Sequence, residues 1–512
     1  MGASYSCRGD RAGWVIGEST PLKSTILFER EISYYPRVGM FVTAESPEGC
    51  VLGVVEKIVS GNVLIPGSLS DSAELYSLSR MPEVSGKGYI RGTVRWLSLV
   101  QPLVGEGRVV SPSTPVSPTG EVWVADSGLL SKVFGGNGRS WVRLGTLVTD
   151  NRVEVRVNAD RLTRHLAILA VTGGGKSNTV CVLAKRIVDD LRGTMVVFDM
   201  HGEYAGSGIS SHQRLSPAKI NPASLAFREL LVLARIQPNA VNQERVLREA
   251  WKKTLEELRR GDIRPAEILE KLRRHVSVMA AKGGKDTAPQ AVLNKLDDLA
   301  DNYGDVIDPS IPQNLADIIE PGKLNVFDLS SVDEAGADAI VSHYARRILH
   351  ERKLARSGNG GYPVPLFLVI EEAHILVPRD ESTLSKTWIA RIAREGRKFG
   401  VGLILVSQRP KNVDPDILSQ TNNKIILRII EPTDQKYVQQ ASEQLSDELL
   451  DMLPGLNPGE AVIVGSMVKL PVLAKIDVCR GKEKGGDIPV VEEWRHYEDY
   501  ESKRDQEILG HF

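Results

Sequence analysis

One glycine loop constrains this chain more than any other feature. An apolar run from His165 to Ala170 leads into Val171-Thr172-Gly173-Gly174-Gly175-Lys176-Ser177. After it, from Asn178 to Leu191, Val180, Leu183, Ile187 and Leu191 keep one helical face apolar. Strand, glycine loop and helix in that order form a phosphate cradle, because glycine lets backbone N–H groups converge on an anion at a helix N-terminus. The cradle is read as Thr172, Gly173, Gly174, Gly175, Lys176, Ser177 and Asn178, with Lys176 reaching the β- and γ-phosphates and the Ser177 hydroxyl on Mg2+. Ala170 stands where such loops usually begin with glycine, at a strand end that tolerates a methyl group.

The chain around the loop is too long, at 512 residues, for one typical domain. From Gly13 to about Val157, short runs such as Trp14–Gly17, Val38–Val42, Val51–Val55 and Tyr89–Val94 are punctuated by Gly and Pro, which predicts a small β-barrel over residues 1–159. Ser111 to Gly120 is a loop within it, before the strand-like runs Glu121–Ala125 and Val153–Val157. Beyond Asp160, apolar runs alternate with helical periods: His165–Ala170, Thr194–Phe198, Leu324–Leu329, Leu366–Ile370, Val401–Val406 and Lys424–Ile429. This is the pattern of an α/β core with a parallel sheet, placed at 160–226 and 320–480. Residues 227–319 form a helical insertion, whose basic residues are expected to pair as Glu256 with Arg260, Glu267 with Lys271 and Glu270 with Arg274. In the charged segment 481–512, Trp494, Tyr497 and Tyr500 recur every third residue, a spacing that suits a helix against a neighbour.

A second half of the site comes from Leu366-Phe-Leu-Val-Ile370-Glu371-Glu372-Ala-His374. Packing gives an apolar run no reason to end in two carboxylates. Glu371 is read as facing the magnesium shell, and Glu372 as orienting and deprotonating the attacking water. Asp199 and Glu203, after the run Thr194–Phe198, are candidate metal-shell or water-positioning groups. Gln408 at the end of Val401–Val406 is a candidate γ-phosphate sensor. Arg391, Arg394, Arg397 and Lys398 cluster ahead of Gly400, and Arg397 is placed to serve as an arginine finger in a neighbouring subunit's site.

With these residues assembled, the chain resembles the HerA family of hexameric DNA translocases, within the FtsK and HerA group of P-loop motors. The resemblance covers most of the chain. It is carried by Gly13-Trp-Val-Ile-Gly17-Glu-Ser19, Ala170–Ser177, Phe198-Asp-Met-His-Gly-Glu-Tyr204, Ile370-Glu-Glu-Ala-His374, Ala393-Arg-Glu-Gly-Arg-Lys-Phe-Gly400 and Ser407-Gln-Arg-Pro410, in that order. It implies a HAS-type N-terminal barrel, a RecA-like motor core, a C-terminal extension over 481–512 that braces the next subunit, and a homo-hexamer. It also implies ATP and Mg2+ as cofactors, double-stranded DNA as the track, and the NurA nuclease as partner in a nuclease–ATPase complex that resects DNA ends for homologous recombination. Carried over by position, it supports Lys176, Ser177, Glu372, Gln408 and the trans-acting Arg397, and adds Arg164 as a further nucleotide-contacting arginine.

Composition leaves the DNA partner open. Lys plus Arg (64) nearly equals Asp plus Glu (65), so any basic surface is local. Lys386, Arg391 and Lys411 are the candidate contacts to a duplex read through its phosphates. A ring motor acting on a protein substrate and a nucleotide-locked DNA clamp are the rival readings. No apolar run approaches the roughly 18 residues of a membrane span. Cys7, Cys50, Cys181 and Cys479 are far apart, with no C-x-x-C pair to propose as a disulfide framework or zinc site. Both observations predict a cytoplasmic protein.

Overall fold

Burial along the strands separates two kinds of sheet. β1 (Arg11–Ser19), β2 (Lys23–Phe28), β3 (Phe41–Ser46), β4 (Gly49–Asn62), β5 (Gly88–Leu99) and β6 (Glu121–Val124) close into a barrel in the order β1-β2-β5-β4-β3-β6. In β2 and the second half of β5, buried and half-buried residues alternate, as in a strand with one face on a core and one toward water. The computed structural model describes residues 7–29, 35–65, 67–85, 87–206, 208–237, 239–282, 287–442, 444–480, 490, 491 and 494.

The centre of the second sheet has no such alternation, although its β7–β8 end does. β7 (Trp141–Leu147) and β8 (Glu154–Asn158) are followed by β9 (Leu166–Leu169), β10 (Thr194–Asp199), β11 (Gln213–Ser216), β12 (Leu324–Asp328), β13 (Leu366–Ile370), β14 (Val401–Ser407), β15 (Asn423–Ile426), β16 (Glu460–Val464) and β17 (Val472–Ile476). Every residue of β9, β10 and β14 is buried, because helices cover both faces. The order is β11-β12-β10-β13-β14-β9-β15-β16-β17-β7-β8. The strands from β11 to β15 run parallel, and those from β16 to β8 return antiparallel. β14 thus lies between the strand of the glycine loop (β9) and the strand of the acidic pair (β13), the layout of a P-loop ATPase core.

The hairpin β7–β8 departs from the expected boundary. It belongs to the second sheet, through pairs such as Ala474 with Leu147 and Ile476 with Gly145, although the first 159 residues were expected to form the barrel alone. A half-buried strand looks the same in sequence whichever sheet it joins. The insertion is helical, with Val241–Arg260, Ile268–Lys282 and Ala288–Tyr303 as its longest helices. Its charges pair both along helices, as in Arg248 with Glu244 and Lys253 with Glu249, and between them. Lys271 reaches Glu257 at 3.0 Å and Arg273 reaches Asp297 at 2.6 Å, in place of the three expected pairs.

Disulfides Cys7–Cys50 and Cys181–Cys479 correct the reading of the cysteines. They join residues 43 and 298 positions apart, so only the fold could reveal them. No helix among the described residues is long and apolar enough to cross a membrane. Of the aromatic series near the C-terminus, Trp494 is described and exposed; Tyr497 and Tyr500, with most of 481–512, lie outside the described residues.

Candidate nucleotide-hydrolysis site

Four parallel strands end at the same edge: β9 in the glycine loop, β14 in Gln408, β13 in Glu371 and Glu372, and β10 in Asp199. At the loop, Gly173 (φ 73°) and Gly175 (φ 104°) take left-handed backbone that only glycine adopts without strain. A Cβ on Gly175 would also crowd Leu427 Cδ2 at 3.2 Å, and Gly459 lies against the loop, donating its N–H to the Gly174 carbonyl at 3.3 Å. Helix Lys176–Lys185 starts at Gly175 with no side chain capping it. Its first N–H groups therefore keep the capacity to bind an anion, which fits the polyphosphate of ATP. Lys176 and Ser177 head this helix, and the Thr172 hydroxyl donates to Gln408 Oε1 at 2.6 Å, linking the loop to the end of β14. Asn178 is differently engaged. Its amide donates to the Asp477 carbonyl and its Oδ1 accepts the Cys479 N–H, which fixes the helix to the segment after β17.

The two acids of β13 occupy unlike environments. Glu371 Oε1 accepts the Tyr204 hydroxyl at 2.5 Å. Burial, followed by the neighbouring acids Glu372, Glu203 and Asp199, raises its pKa to about 8 against the lowering effect of that bond. Asp199 accepts the backbone N–H groups of Glu203, Tyr204 and Ala205, holding the turn that carries Tyr204. Burial raises its pKa as well. Glu372 has left-handed backbone (φ 44°, ψ 48°), which a β-carbon residue adopts only where the surroundings enforce it. Its carboxylate lies between two imidazoles, His201 Nε2 at 3.5 Å from Oε1 and His374 Nδ1 at 3.2 Å from Oε2. The second approach is off the line of a hydrogen bond, and Oε2 is buried without a protein donor among the described residues. Burial lowers the His374 pKa against the raising effect of the Glu372 charge, and the charges of Arg409 and Lys176 lower it further. Lys176 and the acidic pair therefore share one electrostatic site.

Comparison with known proteins bears on this arrangement. Residues 142–348 match the family described as "Helicase HerA, central domain", and residues 349–467 match "Helicase HerA-like C-terminal". The chain is 40% identical over 494 residues to "DNA double-strand break repair helicase HerA" of Sulfurisphaera tokodaii, covering 94% of this chain and 96% of that protein. It belongs to the HerA helicase family. The protein of the same name from Saccharolobus solfataricus is 39% identical, with 96% of each chain covered. Among solved structures, VirB4 of Thermoanaerobacter pseudethanolicus aligns with a TM-score of 0.49 and 19% identity over 68% of this chain and 99% of that one.

In this HerA-family chain the remaining candidates lie away from the glycine loop. Arg397 ends helix Leu384–Phe399, ahead of β14, and Arg164 precedes β9, so both sit at the opposite edge of the sheet from Gln408 and the loop. The seven residues of β14 separate those edges by roughly 20 Å. Arg164 and Arg397 are close enough to repel each other, as are Arg164 and Arg161. None of the three guanidiniums has a carboxylate partner among the described residues. Arg352 bonds the Phe399 and Tyr362 carbonyls and Gly400 closes the helix in left-handed backbone, so the end carrying Arg397 is firmly held.

The DNA candidates have local partners. Lys386 Nζ bonds the carbonyls of Pro378, Arg379 and Glu381 and pairs with Asp414, so it secures a loop. Arg391 pairs with Glu395 beside Trp388, and Lys411 with Glu431. Sequence reasoning assigned no role to His201, His374, Tyr204 or Arg161. Their motifs contained the first three, but which atom each would face required the fold.

Proposed function

We propose that this chain is the ATP-hydrolysing motor of a ring that translocates along double-stranded DNA in double-strand break repair. The observation that carries the reading is Glu372: a buried carboxylate in left-handed backbone, one oxygen without a protein donor, at the sheet edge where an uncapped helix offers N–H groups to phosphate. A nucleotide clamp needs the cradle alone; hydrolysis needs the acceptor. In the proposed reaction the loop N–H groups and Lys176 hold the β- and γ-phosphates, Glu372 orients water toward the γ-phosphorus and takes its proton, and Gln408, set by Thr172, contacts the γ-phosphate. The chemistry magnesium supplies when bound is neutralisation of phosphoryl charge, with Ser177 as its protein ligand. Glu371 and Asp199, engaged by Tyr204 and the 203–205 backbone, support the edge behind it.

The relatives' printed names support the repair assignment. The opposite placement of Arg397 and Arg164 supports a site completed by the next subunit, since roughly 20 Å exceeds an arginine's reach. Arg391 and Lys411 are proposed to meet phosphates. From the family resemblance we propose a homo-hexamer that works with the NurA nuclease in end resection.

The test is ATP turnover with and without duplex DNA, on protein whose mass is measured in the same preparation. Lys176→Ala and Glu372→Gln are each expected to lower turnover at least about 100-fold. Turnover at the wild-type rate in either variant overturns the site; wild-type turnover that ignores DNA overturns the translocase.

A further inference from the structure

We propose that His374 is a positioning residue for hydrolysis, its buried ring limiting the swing of the Glu372 carboxylate by contact at Nδ1 while the same nitrogen bonds Ser407 at the strand end that carries Gln408. The proposal rests on the reading of Glu372 as the general base.

Glu372 sits in backbone that does not by itself fix the direction of its side chain, and each carboxylate oxygen has one imidazole neighbour. The two imidazoles are not equivalent. The His201 side chain is 57% exposed, whereas that of His374 is 12% exposed, on the one-turn helix Ala373–Leu376 that begins just after Glu372. A buried ring loses little further freedom when it holds a partner. Its Nδ1 is 3.2 Å from Glu372 Oε2 and 3.4 Å from Ser407 Oγ. Ser407 is fully buried, its Oγ accepts the Arg409 N–H at 3.1 Å, and the next residue, Gln408, is bonded to Thr172 of the glycine loop.

One nitrogen thus stands between the carboxylate and the end of β14, completing a line of contacts from loop to base. The off-line approach to Oε2 leaves room for that oxygen to accept from water while Nδ1 limits its swing. A small misplacement of a general base is enough to slow proton transfer severely.

The test separates the Nδ1 contact from simple space filling. His374→Asn places an amide nitrogen near the Nδ1 position; His374→Gln places it near Nε2. His374→Gln and His374→Ala are expected to lower kcat at least about tenfold, with affinity for a fluorescent ATP analogue within about twofold, and His374→Asn to recover most of the rate. On a Glu372→Gln background, His374→Gln should cause no further loss, because the two residues act as a unit. Equal rates for the Asn and Gln variants, a wild-type rate in the Gln variant, or loss of nucleotide affinity in step with kcat overturns the proposal. Should the Ala variant fail to fold, the Asn and Gln pair still decides. Glu372→Gln at the wild-type rate sinks the base itself and this inference with it; an inactive Glu372→Gln beside a fully active His374→Gln sinks only the inference.

Discussion

His165 is buried ahead of β9, with Nδ1 accepting the Leu403 N–H at 3.0 Å, which requires that nitrogen to be unprotonated. Burial, and to a lesser degree Arg397, lowers its pKa to about 4, against an ordinary value of 6.5. Above pH 6.5 the ring is neutral in both folded and unfolded chains. Between 6.5 and 4 the unfolded chain takes up a proton that the folded one refuses, so stability falls as pH falls and levels off below 4. The loss reaches roughly 3 kcal/mol at the acid end. Denaturant midpoints from pH 7 to 4.5 should fall more steeply for the wild type than for His165→Asn, whose amide oxygen can accept the same N–H; parallel curves would refute it. Tyr204→Phe is a second case, removing the hydroxyl that Glu371 accepts, with an expected loss of about 1–3 kcal/mol in urea titration and little change in nucleotide affinity. At this scale the positions of Lys176 and Ser177 at a helix start and of Glu372 at a strand end were legible, because the apolar runs before them mark β9 and β13. The roles of His374, Tyr204 and Asn178 were not, because they depend on the atoms that other strands bring to them.

The P-loop helix illustrates what sequence periodicity conveys about an element and what it omits. Val180, Leu183 and Ile187 predicted its apolar face, and all three are buried. Its anchorage was invisible: Asn178 bonds the backbone of Asp477 and Cys479, and one turn later Cys181 is joined to Cys479. A crosslink closing so long a loop contributes about 2–4 kcal/mol, chiefly by restricting the unfolded chain. Cys181→Ser, or reduction of the wild type, should lower the thermal midpoint, and thiol titration of the unreduced, unfolded chain should find almost no free thiol. A full count of reactive thiols would remove both disulfides from the account. The three expected pairs of the insertion differ from the observed ones for a related reason, although i,i+4 pairs do form at Arg248–Glu244 and Lys253–Glu249. Spacing along one helix identifies neighbours on that helix, whereas Lys271 and Arg273 face acids on adjacent helices.

Across the whole molecule, barrel and P-loop core are joined by a shared apolar cluster, not by a linker. Phe41, Leu52 and Val54 of the barrel share one buried cluster with Phe134, Leu144 and Val155, and with Leu166, Ile168 and Val180 around the nucleotide strand. Phe41 and Phe134 pack against each other with ring centroids 5.0 Å apart and planes tilted by 53°. The polar contacts across the same junction are Ser446 donating to the buried Glu56 at 3.0 Å and an exposed ion pair between Lys23 and Glu448. This continuity explains why the expected barrel range of 1–159 runs past the barrel's last strand: β7 and β8 pair with the second sheet, and their apolar residues serve the core that also receives the barrel. The energies rank the contacts. Removing a buried phenyl ring costs about 3–5 kcal/mol through lost transfer energy and the cavity left behind, whereas an exposed ion pair contributes under about 1 kcal/mol. Phe41→Ala should therefore lower the calorimetric transition of barrel and motor together, and Lys23→Ala should leave it nearly unchanged. If Phe41→Ala instead splits the transition, with an early barrel peak and the motor peak at its wild-type temperature, the shared core does not couple the two sheets.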